Sequence, residues 1–251
     1  RGQLIVRGGE HFVWSRGEEL VTDKYPEFHA FREALPQGTV LDGEILAWKD
    51  GVALPFAEMQ KRIGRKTIGK KILSAVPVVF MAYDIMEFEG RDIRQEPIEE
   101  RRRILERVHA LAAHPSLLIS PTLDFSTWEE IVAHREHARA TSIEGLMLKR
   151  RTSTYEVGRK RGDWWKWKVD PLSIDAVLTF SMQGHGRRAD LYTDHTFGLW
   201  QDGQLVTFAK AYSGLTDAEM KEVDAFVKKN TLERFGPVRQ VEPRLVFEIA
   251  F

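Results

Sequence analysis

The stretch Gly162–Pro171, GDWWKWKVDP, sets three tryptophans among two lysines and ends at an aspartate–proline step. Side chains alternate between the faces of a strand, so Trp165, Trp167 and Val169 fall on one side and Trp164, Lys166 and Lys168 on the other. The expectation is a strand whose apolar face, Trp165 and Trp167, anchors it in a core while the two lysines stay fixed on the opposite face. Beyond Pro171 the texture turns from mixed helix and strand to mostly strand, which places a domain boundary at about Asp170 and predicts domains at 1–170 and 171–251.

The chain has 251 residues, ample for two domains, and its 37 Lys+Arg balance 37 Asp+Glu. The charge is unevenly spread. From Leu148 to Lys168, eight basic residues (Lys149, Arg150, Arg151, Arg159, Lys160, Arg161, Lys166 and Lys168) stand against Glu156 and Asp163. Cysteine is absent, which excludes disulfides, thiolate nucleophiles and cysteine-held zinc and is compatible with a reducing cytoplasm, the expected location. No apolar run is long enough to cross a bilayer, and the start, RGQLIVRGGEHF, has the look of a strand entering a turn rather than of a signal peptide. A strand-like segment at each end of the chain suggests a fragment cut at both ends.

Local patterns predict a hairpin around Gly8-Gly9, a helix in YPEFHAFREAL, a buried strand TVLDGEILAW, a short helix PFAEMQKRIG and the apolar strand VPVVFMAYDIM. Pro97 opens a helix whose inner face is Ile98, Ile104, Leu105, Val108 and Leu111, with arginines and glutamates outside. Ser126 and Glu129 form a capping-box pattern before a second helix running to about residue 140. After Pro171 come SIDAVLTFSM, ADLYTDHTFGLW, an Asp202-Gly203 turn, QLVTFAKAY, and a helix with Thr216 and Glu219 at its cap. Several strands with one helix suit a small Greek-key barrel of the OB type, and a half-open sheet would give the same pattern.

Three suggestive patterns are set aside. GRKTIGKK, from Gly64, resembles a phosphate-binding loop but has Lys71 where a hydroxyl must meet magnesium, and no apolar strand leads into it. GHGRRA, from Gly184, precedes a strand and so lacks the helix N-terminus a pyrophosphate needs. His134 and His137 have ligand spacing without a third partner. Acids inside apolar strands carry more weight: Asp42 and Glu44 in LDGEI, Asp84 in YDI, and Glu144 before GLMLK. A buried unpaired charge costs several kcal/mol, so such acids are paired or functional. Carboxylates, lysines and an aromatic ring converging would suit magnesium, phosphate and a base.

The order Arg1, SR at 15–16, LDGE at 41–44, YD at 83–84, EGLMLK at 144–149 and WKWK at 165–168 resembles the nucleotidyltransferase motifs of ATP-dependent DNA ligases, relatives of RNA ligases and mRNA-capping enzymes. The resemblance covers nearly the whole chain. It implies an α+β fold: an adenylyltransferase (ATP-grasp-like) domain with antiparallel sheets and helices, followed by an OB-fold β-barrel domain. It also implies nick sealing in double-stranded DNA, with ATP and Mg2+ or Mn2+, by a monomer with no membrane partner. In the family a lysine of K-x-D-G-x-R becomes adenylated; Arg1 matches that motif's last residue, so the nucleophile is expected just upstream. Arg1 and Glu44 would contact the ribose, Arg16 would lie beside the AMP phosphate and the DNA end, and Tyr83 would stack on adenine. Glu144 would serve the metal, Lys166 and Lys168 the α-phosphate, and Lys149 also a phosphate. DNA would meet the 148–168 segment and KRIGRKTIGKK, from Lys61 to Lys71. An RNA ligase, a capping guanylyltransferase and a non-catalytic nucleic-acid-binding module stand as alternatives.

Overall fold

The computed structural model describes residues 1–65, 67–138, 143–158 and 160–251, with Arg187 described by its backbone alone. Lys66, Arg159 and the end of the helix expected to reach residue 140 lie outside the described residues. The chain divides into two compact units, Arg1–Val169 and Asp170–Phe251.

The first unit is built on a hairpin. Strands β1 (Gly2–Arg7) and β2 (Glu10–Ser15) are joined by Gly8 and Gly9, both at positive φ, the two-residue turn whose twist matches paired strands. β1 also pairs antiparallel with β3 (Thr39–Lys49), which pairs with β5 (Val78–Phe88). With β4 (Val52–Ala53), β6 (Arg91–Asp92) and β7 (Leu117–Ile119) they make a seven-stranded sheet in the order β2-β1-β3-β5-β6. Leu4, Val6, Val13, Leu41, Phe80, Ala82 and Ile85 lie on its buried side. Gly43 is needed there: a Cβ would come within 2.6 Å of both the Met81 carbonyl and the Phe80 ring.

The expected helix in YPEFHAFREAL is a 3-10 turn at Pro26–Phe28 followed by one turn, α1 (Phe31–Ala34). Phe28 and Phe31 stack in the core with ring centroids 5.2 Å apart, and burying those rings decides the backbone here over helical continuity. Helices α2 (Phe56–Ile63) and α3 (Lys70–Ala75) follow. In α4 (Ile98–Ala112) the buried residues are Arg101, Leu105 and Val108, while Leu111 is 64% exposed. The inner face is therefore rotated from the apolar stripe, because an arginine has a buried carboxylate to meet. α5 (Trp128–His137) is capped by Thr127, whose side chain accepts from the Glu130 N–H, one residue later than the expected Ser126 pattern. Strands β8 (Gly145–Lys149) and β9 (Trp164–Lys168) form a separate two-stranded ribbon.

The second unit contains β10 (Ser173–Gln183), β11 (Tyr192–Gln201), β12 (Gln204–Ala211), α6 (Asp217–Lys229), β13 (Thr231–Phe235), β14 (Val238–Val241) and β15 (Val246–Ala250). Its six-stranded antiparallel sheet runs β12-β11-β10-β14-β13. β10 pairs with β15 along its first half and with β14 along its second, with a register shift at Leu178/Phe180 on its β11 side. Asp202 and Gly203 make the β11–β12 turn at positive φ. α6 opens with the reciprocal Thr216/Glu219 capping box and packs Val223 and Val227 against Leu178, Tyr192 and Phe197. Among the described residues no helix is long and apolar enough to cross a membrane.

Candidate functional site

The polar side of the first unit's sheet is organised by strand register. Gly2 lies opposite both Ser15 and Gly43, where the two ladders end, so Arg1 stands just beyond β1 and Glu44 is the next residue along β3, while Arg16 opens the turn closed by the Glu18 N–H on the Ser15 carbonyl. Glu44 is opposite Met81. Arg16 and Glu44 are both exposed. Between β3 and β5 the register slips: Asp42 pairs with Asp84 and Gly43 with Ala82, which leaves Tyr83 as the extra residue of a bulge. A bulge re-aims a side chain at the cost of one ladder position.

Tyr83 is re-aimed into a polar cluster. Arg1 donates through Nε to the Tyr83 hydroxyl at 2.8 Å and through a terminal nitrogen to Asp42 Oδ2 at 3.4 Å. The Tyr155 hydroxyl donates to the same Asp42 oxygen at 2.7 Å. Asp42 is 3% exposed, and a carboxylate so buried needs these donors. Burial, then Asp42's charge, pushes Tyr83 far above the ordinary phenol range; burial, then the Asp42 hydrogen bond, does the same to Tyr155. Both therefore remain protonated donors at neutral pH.

Lys149 completes the cluster from the ribbon. Its Nζ stands 4.2 Å from the Trp164 ring centroid and 5.2 Å from that of Tyr83, a cation shared between two aromatic rings. Burial lowers its pKa, an effect opposed by the nearby Asp84 charge. Trp164 lies directly across from Lys149, donates Nε1–H to Ser153 Oγ at 2.9 Å and meets the Tyr155 ring edge-on. Beneath lies a buried ion pair: Arg101 grips Asp84 with two hydrogen bonds of 2.8 and 3.0 Å, the side chains 0% and 1% exposed.

The remaining expected site residues lie along the ribbon. Met147 faces Lys166 and Gly145 faces Lys168, so Lys149, Trp164, Lys166 and Lys168 share one face. At roughly 3.4 Å per residue, Lys166 is about 7 Å and Lys168 about 14 Å along β9 from Trp164. Gly145 has φ +137°, and a Cβ on it would come within 2.3 Å of the Trp167 carbonyl, so only glycine lets the two strands close beside Lys168. Glu144 has its side chain 86% exposed and pairs with Lys168 Nζ at 3.2 Å. The structure thus joins Arg1, Tyr83 and Lys149 directly, leaves Glu44 on β3 and Arg16 in the turn after β2 outside those contacts, and holds Glu144 with Lys168 at the far end of the ribbon.

Several expectations are corrected. Trp165 is 47% exposed, and neither it nor Trp167 enters a core; Trp167 packs on α5, against Trp128 and under the Arg135 guanidinium. The anchoring tryptophan is Trp164, on the lysine face, because the ribbon leans on the sheet with its polar side. Glu44 and Glu144 are exposed, so only Asp42 and Asp84 are buried strand acids. Arg62, within the Lys61–Lys71 basic segment, is buried, with two hydrogen bonds to Glu27 and others to the Lys24 and Val76 carbonyls, so its charge is spent internally. Arg101, Tyr155 and Trp164 were missed as site residues. Arg101 stands in ERRR, where its neighbours are identical, and only the i, i+4, i+7 spacing with Leu105 and Val108 hinted at its inward face.

The family model for the ATP dependent DNA ligase domain matches residues 1–168, the whole of the sheet and ribbon just described. The chain belongs to the ATP-dependent DNA ligase family. It is 36% identical over 272 residues to a probable DNA ligase of Koribacter versatilis, covering 100% of this chain and 47% of that protein. It is 37% identical over 281 residues to a probable DNA ligase of Opitutus terrae, covering 100% of this chain and 28% of that protein. The chain therefore spans less than half the length of these curated relatives. Among solved structures, the fold of this ligase-family chain is similar to the ligase domain of LigD from M. tuberculosis (TM-score 0.55, 24% identity, 100% of this chain and 79% of that one). It is also similar to a Lig E DNA ligase (TM-score 0.67, 18% identity, 88% and 77%).

Proposed function

We propose that the chain is the catalytic core of an ATP-dependent DNA ligase, with an adenylyltransferase domain to about Asp170 and an OB-fold domain after it. The carrying observation is the Arg1–Tyr83–Asp42–Lys149 cluster, a polar array mounted on the bulged strand of a family-matched sheet. Arg1 and Glu44 would hold the ribose, the Tyr83 ring the adenine, and Arg16 the phosphate at the DNA end. Lys149, Lys166 and Lys168, on one face of the ribbon, would neutralise phosphate oxygens as charge shifts between them. In-line displacement at phosphorus asks the protein mainly for alignment and charge neutralisation, which rigid cations supply. The nucleophile would be a lysine just upstream of Arg1.

Among the described residues no group of three or more acids and histidines could cage a metal. Glu144, exposed and singly paired, fits Mg2+ or Mn2+ held by one carboxylate plus the nucleotide's own phosphates. Such an ion would lower charge repulsion at the reacting phosphate. The strand-rich second unit, with β10 split between β14 and β15, supports the OB reading. The substrate would be nicked duplex DNA, met through its backbone by Arg150, Arg151, Lys160 and Arg161, all exposed. The enzyme would act as a monomer.

The test is to incubate the full-length protein with magnesium and ATP or GTP, then to add nicked DNA. A mass gain of one AMP from ATP alone, followed by sealing, is expected. A GMP adduct would favour a capping guanylyltransferase, and no adduct a non-catalytic module.

A further inference from the structure

The described residues of the connection between β8 and β9, 150–158 and 160–163, form no helix or strand, yet the first of these stretches is stapled down. Ser153 is 4% exposed; its carbonyl accepts from Ile98 N–H at 2.8 Å and from the Arg101 guanidinium at 3.2 Å. Tyr155 N–H donates to the Arg94 carbonyl at 2.8 Å. These bonds hold the Tyr155 ring with the Arg101 guanidinium 5.9 Å from its centroid and the Trp164 ring centroid also 5.9 Å away. Its hydroxyl then reaches back 113 residues to Asp42. The same connection carries the exposed Arg150, Arg151, Lys160 and Arg161.

We propose that Tyr155 is a positioning residue that sets where Arg1 stands, linking the seating of the basic connection to the nucleotide-facing row. This rests on the nucleotide-transfer reading above. The argument is one of competition for a single oxygen. Asp42 Oδ2 takes a short bond from Tyr155 and a long one, 3.4 Å, from Arg1, whose better bond is the 2.8 Å one to Tyr83. Without the Tyr155 hydroxyl, the buried carboxylate has lost its shortest bond, and Arg1, already in contact with the same oxygen, is placed to replace it. The guanidinium would then be drawn down onto Asp42 and off Tyr83, the ring proposed to carry the base. The DNA-facing connection and the nucleotide row would thus be two ends of one strut.

The experiment measures the rate of AMP incorporation against ATP concentration in the full-length protein, for wild type, Tyr155→Phe, Asp42→Asn and the double variant. Tyr155→Phe is expected to raise the KM for ATP on the order of tenfold, what one hydrogen bond to a charged group is worth, with kcat at saturating ATP nearly unchanged. The double variant should be no worse than Asp42→Asn alone, because Tyr155 acts only through that carboxylate. Wild-type KM in Tyr155→Phe, or effects of the two substitutions that multiply, would overturn the inference. So would a lowered melting temperature and kcat with KM unmoved, the mark of a purely structural residue. Should Tyr155→Phe not fold, Asp42→Asn alone decides, since an unchanged KM there refutes the strut. A wild-type protein that takes up no AMP would overturn the nucleotide-transfer reading itself, and this inference with it.

Discussion

Replacing Arg101 by methionine should nearly unfold the first unit. The methionine keeps much of the aliphatic volume but abolishes both bonds to Asp84 and those to the Glu96 and Ser153 carbonyls. Among the described hydrogen bonds, Asp84 would keep the one from the Ile85 N–H, at 2.9 Å. Breaking a buried pair by removing one partner costs about 3–5 kcal/mol, and the lost bond to the Glu96 carbonyl adds ~1 kcal/mol, while the Ser153 carbonyl keeps its bond from the Ile98 N–H. The total, about 4–6 kcal/mol, is comparable with the lower end of the whole stability of an ordinary domain, ~5–15 kcal/mol. At ~2–4 °C per kcal/mol the melting temperature should fall by at least about 8 °C. Urea titration followed by tryptophan fluorescence measures this directly. Adding Asp84→Asn to Arg101→Met removes the stranded charge and should recover more than half of the loss. A single-variant loss below ~1 kcal/mol, or no recovery in the double variant, would refute the claim that this ion pair holds the sheet to α4.

Three further outcomes are expected. Lys166→Ala in the full-length protein should slow AMP transfer and sealing by about two to three decades, the effect of removing one preorganised charge at a transferring group; wild-type rates would dismiss its assignment. Of the five tyrosines, Tyr25, Tyr83 and Tyr155 are held above the ordinary value of 10.0, in each case chiefly by burial, so the stability they contribute is fully present below about pH 10 and is lost as pH rises through their raised values. Tyrosinate absorbance from these three should therefore appear only above pH 10, together with unfolding, whereas ionisation of all five tyrosines near pH 10 in a still-folded protein would contradict it. Gly145→Ala forces a Cβ against the Trp167 carbonyl at positive φ and should cost ~2–4 kcal/mol through overpacking and strain, seen as a lowered urea midpoint.

The comparison between sequence and structure divides along the range of the forces involved. Turn chemistry is short-ranged, and Gly8-Gly9 and Asp202-Gly203 sit where the sequence puts them, between paired strands. The Thr216/Glu219 cap and the long apolar strands are equally local. Where a tertiary contact competes with a local preference, local reasoning fails. Phe28 and Phe31 leave a regular helix to stack in the core, and α4 turns Arg101 inward and Leu111 outward. Trp164 and Trp165 are neighbours of one residue type, and alternation alone puts Trp165 inside; the hydrogen bond to Ser153 and the Lys149 contact put Trp164 there instead.

What the sequence by itself determined is the set of strands and capped helices, the concentration of cations between 148 and 168, and the ordered motifs that place the chain with the ligases. Those are properties of neighbouring residues, and turn geometry, periodicity and motif order express them without reference to the rest of the chain. Only the tertiary structure decided which charges are spent internally and which face outward: Arg101 on Asp84, Arg62 on Glu27, Tyr155 on Asp42. A buried charge must find a partner, and that partner is chosen by which strands the fold brings side by side, a choice no local pattern contains.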